Sequence, residues 1–157
     1  MSAKSKSIGI LGFIILFSLL PILADADNCG ELCEKKVQNA LEKARETIII
    51  IENEFEKIIA PLKSKKNKTV GEVVNYVSLS ITLDQFKINL TPRKLEKPQS
   101  SCQDDLLSLR EILKNTEEMK NDQELIKISP KGHEKLLELR NEIENVIKEC
   151  DKKEFDK

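Results

Sequence analysis

The sequence has few of the residues from which most catalytic sites are built. It contains no tryptophan, one tyrosine, one histidine and five glycines among 157 residues. A single histidine supplies at most one imidazole base, and no Gly-x-Ser-x-Gly, His-Glu-x-x-His or glycine-rich phosphate loop accompanies it. The many carboxylates alternate with lysine and arginine, as they do on solvated helix surfaces. We therefore expect no enzymatic activity and no cofactor, and we expect the protein to act by binding.

Neither sign of charge is in large excess. The 26 basic and 27 acidic residues give a formal net charge of −1 at pH 7. Proteins that bind nucleic acid usually have a basic field that this chain lacks, so we expect no nucleic-acid partner. Beyond residue 26 the aromatic side chains are Phe55, Tyr76, Phe86 and Phe155 alone. The core must therefore consist mainly of leucine, isoleucine and valine.

The first 26 residues have the features of a secretory signal. A lysine-containing start precedes a 13-residue apolar run over residues 8–20 and the small-x-small cleavage site Ala24-Asp25-Ala26. A membrane anchor is the less favoured interpretation, because a spanning helix needs about 20 apolar residues. We expect a secreted, extracellular protein with one helical domain over 27–150, a charged tail over 151–157 and no membrane segment once the signal is removed.

Residues 28–62 form the longest amphipathic segment. Their apolar side chains recur at alternating spacings of four and three, which is typical of one stripe along a helix. Asn28 and Glu31 resemble a capping box at its start, and Pro61 is expected to end the helix near residue 60. Such a stripe must be covered by other helices. Its residues are Val37, Leu41, Ala44, Ile48, Ile51, Phe55, Ile58 and Leu62.

The next segment is predicted to be a helix from Thr69 to about residue 88. Thr69 and Glu72 form a capping box at its start. The region between residues 74 and 90 also shows the period-two alternation of a strand, but helical neighbours on both sides favour the helix. Its expected apolar positions are Val70, Val73, Val74, Val77 and Ile81.

Two further helices follow an irregular loop over residues 91–101. Ser101 is expected to cap a third helix that runs to about Lys120, and Ser129 and Pro130 start a fourth helix that ends at Cys150. The expected fold is all-α, a four-helix bundle whose helices run up, down, up and down. The apolar stripes comprise Cys102, Leu106, Leu109 and Leu113 in the third helix and Leu136, Leu139, Ile143, Val146 and Cys150 in the fourth.

Four cysteines lie near the ends of the predicted helices. In an up-down-up-down bundle, Cys29, Cys33, Cys102 and Cys150 all gather at one end of the molecule. In an oxidising compartment we expect two disulfides there. Cys29 and Cys33 are one helical turn apart, so one of them is expected to pair with Cys102 and the other with Cys150, and the sequence leaves open which.

A zinc site is the competing interpretation of these cysteines, and we expect no metal. The spacing is CxxxC, which is not that of a zinc knuckle. The lone His133 lies at the opposite end of the fourth helix from Cys150, where we expect it to be exposed and inert.

Two segments rich in positive charge are the candidate surfaces for a partner protein or a polyanion such as heparin. One connects the first two helices and the other is the loop before the third helix, and both also fit simple solvated connections. Each lies beside an N-glycosylation sequon, at Asn67 or Asn89, and Pro92 disfavours modification of the second. The candidate contact residues are Lys63, Lys65, Lys66, Lys68, Arg93, Lys94 and Lys97.

The start of the expected mature chain resembles a family of secreted proteins. Asn28-Cys29-Gly30-Glu31-Leu32-Cys33, followed by a long amphipathic helix, is similar to the salivary proteins of blood-feeding anopheline mosquitoes that include anophensin and albicin. The likeness extends from Asp27 to about Cys150, as an all-helical domain with four cysteines in two bridges. It implies a secreted salivary inhibitor that binds a host plasma protein, first the alternative-pathway convertase of complement and otherwise the contact (kallikrein-kinin) system.

Two other classes of function are compatible with the pattern. A helical bundle with an internal cavity would carry a lipid or an odorant, although the tight heptad-like spacing favours packed helices. A self-associating protein would use the surplus apolar residues Ile49, Ile50 and Ile59, which widen the stripe of the first helix.

Overall fold

The computed structural model describes residues 30–92 and 101–155. Within these ranges the chain forms helices and no strand, which confirms the all-α class and the helix between residues 74 and 90. The helices are α1 (Glu31–Ser64), α2 (Val70–Leu90), α3 (Cys102–Asn115), a short 3-10 helix (Met119–Asn121), α4 (Gln123–Ile128) and α5 (Pro130–Phe155).

Helix α1 is the element against which the other α-helices pack, since it contacts α2, α3, α4 and α5. Its 34 residues extend over about 50 Å. Most of the predicted stripe is buried, but Ile58 is 40 % exposed and Ile59 is buried in its place. A strict seven-residue repeat drifts by about 20° per heptad around a straight helix, so a neighbouring residue faces the core in the last turns. The buried residues of α1 are Cys33, Val37, Ala40, Leu41, Ala44, Thr47, Ile51, Phe55 and Ile59.

The prediction that Pro61 ends the first helix is wrong, because α1 continues to Ser64. A proline removes the hydrogen bond to the carbonyl group four residues earlier, here that of Lys57. Both Lys57 and Pro61 are exposed, so water can satisfy that carbonyl. The helix therefore tolerates a proline one turn before its end.

Helix α3 ends at Asn115, before the predicted end at Lys120. The buried guanidinium group of Arg140 donates hydrogen bonds to the Leu113 carbonyl and to the Thr116 hydroxyl, both at 2.7 Å. These bonds satisfy polar groups at the end of the helix, as C-terminal cations commonly do. The chain then turns through the 3-10 helix into α4, and the sequence pattern predicts neither element. The described residues therefore contain five α-helices where four were expected.

Helix α5 begins at Pro130 after Ser129, as predicted. The Ser129 hydroxyl donates to a Glu54 carboxylate oxygen at 2.6 Å, and the Gly132 amide donates to the same oxygen at 3.4 Å. A carboxylate from α1 thus lies at the positively polarised start of α5, where negative charge is favoured. Helix α5 then runs past Cys150, its predicted end, to Phe155.

A disulfide joins Cys33, in the first turn of α1, to Cys150, in the last turns of α5. The Cα atoms are 5.7 Å apart, and the cysteines are separated by 117 residues in the sequence. One expected cross-link between distant helices is therefore present. Cys102 is the first residue of α3, and Cys29 lies outside the described residues.

The second bridge is expected to join Cys29 to Cys102, because the bond between Cys33 and Cys150 leaves these two cysteines. Mass spectrometry of peptides from the non-reduced protein should identify this pair. A peptide that links Cys29 to Cys33, or alkylation of Cys29 and Cys102 without prior reduction, would contradict the expectation.

Gly132 lies at a close approach between α5 and α1. A Cβ atom built at Gly132 lies 2.2 Å from Ser129 Oγ and 2.5 Å from Ile51 Cγ1. We expect Gly132→Ala to lower the free energy of unfolding by about 1–3 kcal/mol, because such overpacking displaces neighbouring atoms. Urea unfolding would measure the change.

Gly71→Ala is the matched control, since a Cβ atom there meets nothing within 4 Å. Gly71 lies in α2, where alanine is favoured over glycine by up to about 1 kcal/mol. The two substitutions should therefore change stability in opposite directions. Equal stability changes would show that the α1–α5 contact does not require glycine.

Candidate functional site

Helix α2 has two apolar faces, and only one of them packs against the core. Its buried residues are Leu79, Leu83, Phe86 and Leu90, and the Phe86 ring meets Phe55 of α1 edge to face at 5.7 Å between centroids. This face contains leucine and phenylalanine, which bury more apolar area than valine. The expectation that Val70, Val73, Val74, Val77 and Ile81 form the core face of this helix is therefore wrong.

These residues instead form an exposed surface, which we call the outer face of α2. Val70 is 82 % exposed, Val74 62 % and Ile81 64 %. The sequence also contains a second stripe with the same four-three-four spacing, which runs from Leu79 to Leu90. Two such stripes on one helix indicate that only one of them packs in the core. The outer face comprises Val70, Val73, Val74, Val77, Ile81 and Ile88.

Polar contacts along its length hold α2 in this orientation. Lys87 Nζ donates to Glu52 Oε1 of α1 at 2.7 Å, and this bond raises the pKa of Lys87 above its usual value. Thr82 Oγ1 donates to Glu124 Oε2 of α4 at 3.0 Å. Bonds to two different helices oppose rotation of α2 about its axis, so the outer face stays directed away from α1.

The connection between α1 and α2 contains the first set of predicted contact residues, and we call Lys63, Lys65, Lys66 and Lys68 the basic connection. Lys68 Nζ donates to the carbonyl oxygens of Lys63 and Lys65, at 3.0 and 2.9 Å, and so satisfies groups at the end of α1. Lys65 Nζ lies 2.5 Å from Glu72 Oε1. Lys63 and Lys66 are exposed. The four lysines therefore divide into two that brace the connection and two that present charge to solvent.

The capping box at the start of α2 is present as predicted. The Thr69 amide donates to Glu72 Oε2 at 2.9 Å, and the Glu72 amide donates to Thr69 Oγ1 at 3.3 Å. The bond from Lys65, followed by that from the Thr69 amide, lowers the pKa of Glu72 to about 2. One carboxylate thus ties the basic connection to the first turn of α2.

The two sequons lie at opposite ends of α2 in different environments. Asn67 is exposed in the bend before the helix. Asn89 is half-buried in the last turn, where its Oδ1 accepts a hydrogen bond from Gln85 Nε2 at 3.0 Å. Modification of either asparagine stays a prediction.

The second set of predicted contact residues, Arg93, Lys94 and Lys97, lies outside the described residues. Their assignment as partner contacts stays a prediction from the sequence.

A cleft of about 280 Å³ lies between α1 and α5. Lys43 pairs with Glu142 across it, and Lys135 Nζ lies 2.5 Å from Glu138 Oε2. Charged side chains therefore line most of the cleft, whereas sites for apolar ligands are lined mainly by apolar side chains.

Among the described residues, no group of three or more histidine, cysteine, aspartate or glutamate side chains is placed to hold a metal ion. The same residues include no helix long and apolar enough to cross a bilayer. His133 was expected to be exposed, but it is half-buried. Its Nε2 atom lies 2.7 Å from the Lys120 carbonyl oxygen. The 3-10 helix that contains Lys120 packs against α5, and the sequence analysis did not predict that helix.

Comparison of the chain with protein families, with curated proteins and with solved structures gave no match.

Acid should weaken the start of α2 through Glu72. A carboxylate whose pKa is lowered by folding stabilises the folded state above its unfolded pKa of about 4.3. This contribution should disappear as the pH falls from about 4.5 to about 2. We therefore expect Glu72→Gln to be less stable than the wild type at pH 7, and we expect the difference to shrink over that pH range. Urea unfolding at a series of pH values measures it.

Glu42→Gln, at an exposed position of α1, is the control for the loss of one negative charge. Amide exchange at Thr69, Glu72 and Val73, whose amides donate hydrogen bonds in this cap, gives a local measurement of the same effect. A Glu72→Gln protein with wild-type stability and wild-type exchange at pH 7 would contradict the role assigned to this carboxylate.

Proposed function

We propose that the protein is a secreted inhibitor that binds another macromolecule through the basic connection. The observation that carries the proposal is that the four lysines of the basic connection differ in their contacts. Lys68 and Lys65 make hydrogen bonds that hold the backbone of the connection in place. Lys63 and Lys66 are exposed on this ordered backbone and present positive charge to solvent. Positive charge on an ordered segment favours rapid association with an acidic surface at little entropic cost. Arg93, Lys94 and Lys97 are the second part of this proposed contact.

A rigid scaffold is part of the proposal. The bond between Cys33 and Cys150 supports a clamp at one end of the bundle. With a second bridge between Cys29 and Cys102, the long helices would run alternately up and down with both bridges at the same end. Such a scaffold would keep the basic connection in one arrangement in the free and bound states.

The target proposed first is the alternative-pathway convertase of complement. This choice comes from the resemblance of residues 28–33 and the following helix to the anopheline salivary proteins. The chain is near-neutral overall, and the four lysines of the basic connection lie within residues 63–68, which is consistent with recognition of an acidic patch on a protein.

The test is lysis of erythrocytes by the alternative pathway in the presence of the purified protein. We expect the wild type to prevent lysis. Lys63→Glu with Lys66→Glu should reduce its potency by about tenfold, since charge reversal at an interface slows association and adds repulsion. Lysis at the normal rate with the wild-type protein would exclude this target.

Lys57→Glu with Lys131→Glu is the matched control, because it makes the same charge change at exposed positions of α1 and α5. This control should inhibit like the wild type. If both double variants lose potency equally, net charge and not the basic connection determines binding.

The contact system is the second candidate target, favoured by the same lysines because that cascade starts on anionic surfaces. Clotting time started by an anionic surface should then lengthen in the presence of the protein, and less so with Lys63→Glu and Lys66→Glu. A normal clotting time would exclude this target. For a lipid or odorant carrier, the charged lining of the α1–α5 cleft gives no support.

A further inference from the structure

The outer face of α2 has the spacing of a coiled-coil seam. Val70, Val74, Val77, Ile81 and Ile88 follow one another at intervals of four, three, four and seven residues, with Asp84 between the last two. An a/d repeat of this kind is what two helices need to pack along each other. Of the helices described, α1 packs against the opposite side of α2, where Phe86 meets Phe55. The seam is therefore left exposed.

Charge is scarce on α2. Only Glu72, Asp84 and Lys87 are charged among its 21 residues, although about a third of the whole chain is charged. The positions that border the seam include Ser78, Ser80 and Gln85. Depletion of charge at an apolar surface is typical of the core of a protein interface. A second copy would therefore meet no row of like charges along the helix.

We propose that the protein forms a symmetric dimer in which α2 of one copy packs against α2 of a second copy in antiparallel orientation. The twofold axis crosses the seam at the level of residue 79, on the side of α2 opposite the buried Leu79 side chain. Val77 then lies opposite Ile81 of the second copy, and Val70 lies opposite Ile88. This isologous arrangement uses the same surface twice, as most homodimers do.

Electrostatics selects the antiparallel orientation. Parallel helices would place Asp84 beside Asp84 of the second copy, and the two basic connections would meet at the same end. In the antiparallel dimer the two basic connections are separated by the length of α2, about 30 Å, which is well beyond the screening length of about 8–10 Å in physiological salt. Asp84 then lies opposite Val74, close to Lys87 of its own helix.

The area of the outer face is compatible with a reversible dimer. Its six residues expose on the order of 600 Å² per copy. Two copies would bury about 1,200 Å² in total, the lower end of the range for specific interfaces. We therefore expect a dimer that dissociates on dilution, with a Kd on the order of micromolar. Since burial of apolar surface drives the contact, added salt should not weaken it.

Sedimentation velocity of the purified protein over about 1 to 200 µM would bracket such a Kd. We expect a concentration-dependent shift from monomer to dimer for the wild type. Val74→Glu with Ile81→Glu should stay monomeric throughout. Both residues are exposed, so the variant should fold, and an unchanged circular dichroism spectrum and Tm would establish this.

Leu107→Glu is the matched control. Leu107 is 62 % exposed on α3, the same exposure as Val74, so the variant introduces one carboxylate, where the α2 variant introduces two, at an equally exposed apolar position away from α2. This variant should dimerise like the wild type. A dimer that survives the α2 double substitution, or that is lost with Leu107→Glu, would overturn the assignment of the interface.

The orientation has its own test. Val77→Glu alone and Ile81→Lys alone should each weaken the dimer by at least about tenfold. A mixture of the two variants should associate, because the antiparallel arrangement places the introduced carboxylate of one copy opposite the introduced ammonium group of the other. In a parallel pair the two introduced charges would lie one helical turn apart, each opposite an unchanged apolar residue, so the mixture should recover wild-type affinity only in the antiparallel arrangement. A mixture that associates no more strongly than either variant alone would overturn the antiparallel dimer.

The proposed dimer does not depend on the target of the basic connection. A wild-type protein that is monomeric at every concentration overturns the dimer. If the wild type is monomeric and inhibits complement lysis, and the variant with Val74→Glu and Ile81→Glu does not inhibit, the outer face binds the target and not a second copy. Vesicles of neutral and anionic lipid serve as a further probe, and binding by a monomeric wild type that the double substitution abolishes would assign the outer face to lipid and not to a second copy.

Discussion

The fold depends on burial of one side of α1. Helix α1 contacts α2, α3, α4 and α5, and its buried residues extend from Cys33 to Ile59, most of its length. A helix this long and amphipathic is marginal alone in water, because its apolar stripe has no partner there. The remaining helices therefore pack where they bury that stripe. The bond between Cys33 and Cys150 fixes the first turn of α1 to α5, the helix with which α1 has its most extensive contact.

Local patterns in the sequence predicted the helices better than their faces or their ends. Capping signals act over four residues, so Thr69 with Glu72 and Ser101 with Asp104 could be predicted correctly. The end of α3 could not, because it depends on Arg140, a residue 25 positions beyond Asn115 that reaches back to the Leu113 carbonyl. The short helix α4 escaped prediction for a similar reason. Six residues have too little periodicity of their own, and its buried Leu125 is fixed by tertiary contacts.

The choice between the two stripes of α2 illustrates what the sequence leaves open. Both stripes have helical spacing, and spacing alone does not say which of them meets α1. Packing decided it, since Phe86 fits against Phe55 and the leucines fill the space beside it. The candidate site follows from that choice. The basic connection was predictable from composition, but the roles of Lys65 and Lys68 in bracing it required the position of Glu72 and of the last carbonyl groups of α1.

The bridge between Cys33 and Cys150 also determines whether a single proteolytic cleavage can separate the chain into two pieces. It closes a covalent ring that contains every residue from the first turn of α1 to the last turns of α5. One peptide-bond cleavage anywhere in that ring opens it but leaves both pieces tethered, with their helices still neighbours. A nicked molecule would therefore keep α1 beside α5 until a reductant or a second cut releases a fragment.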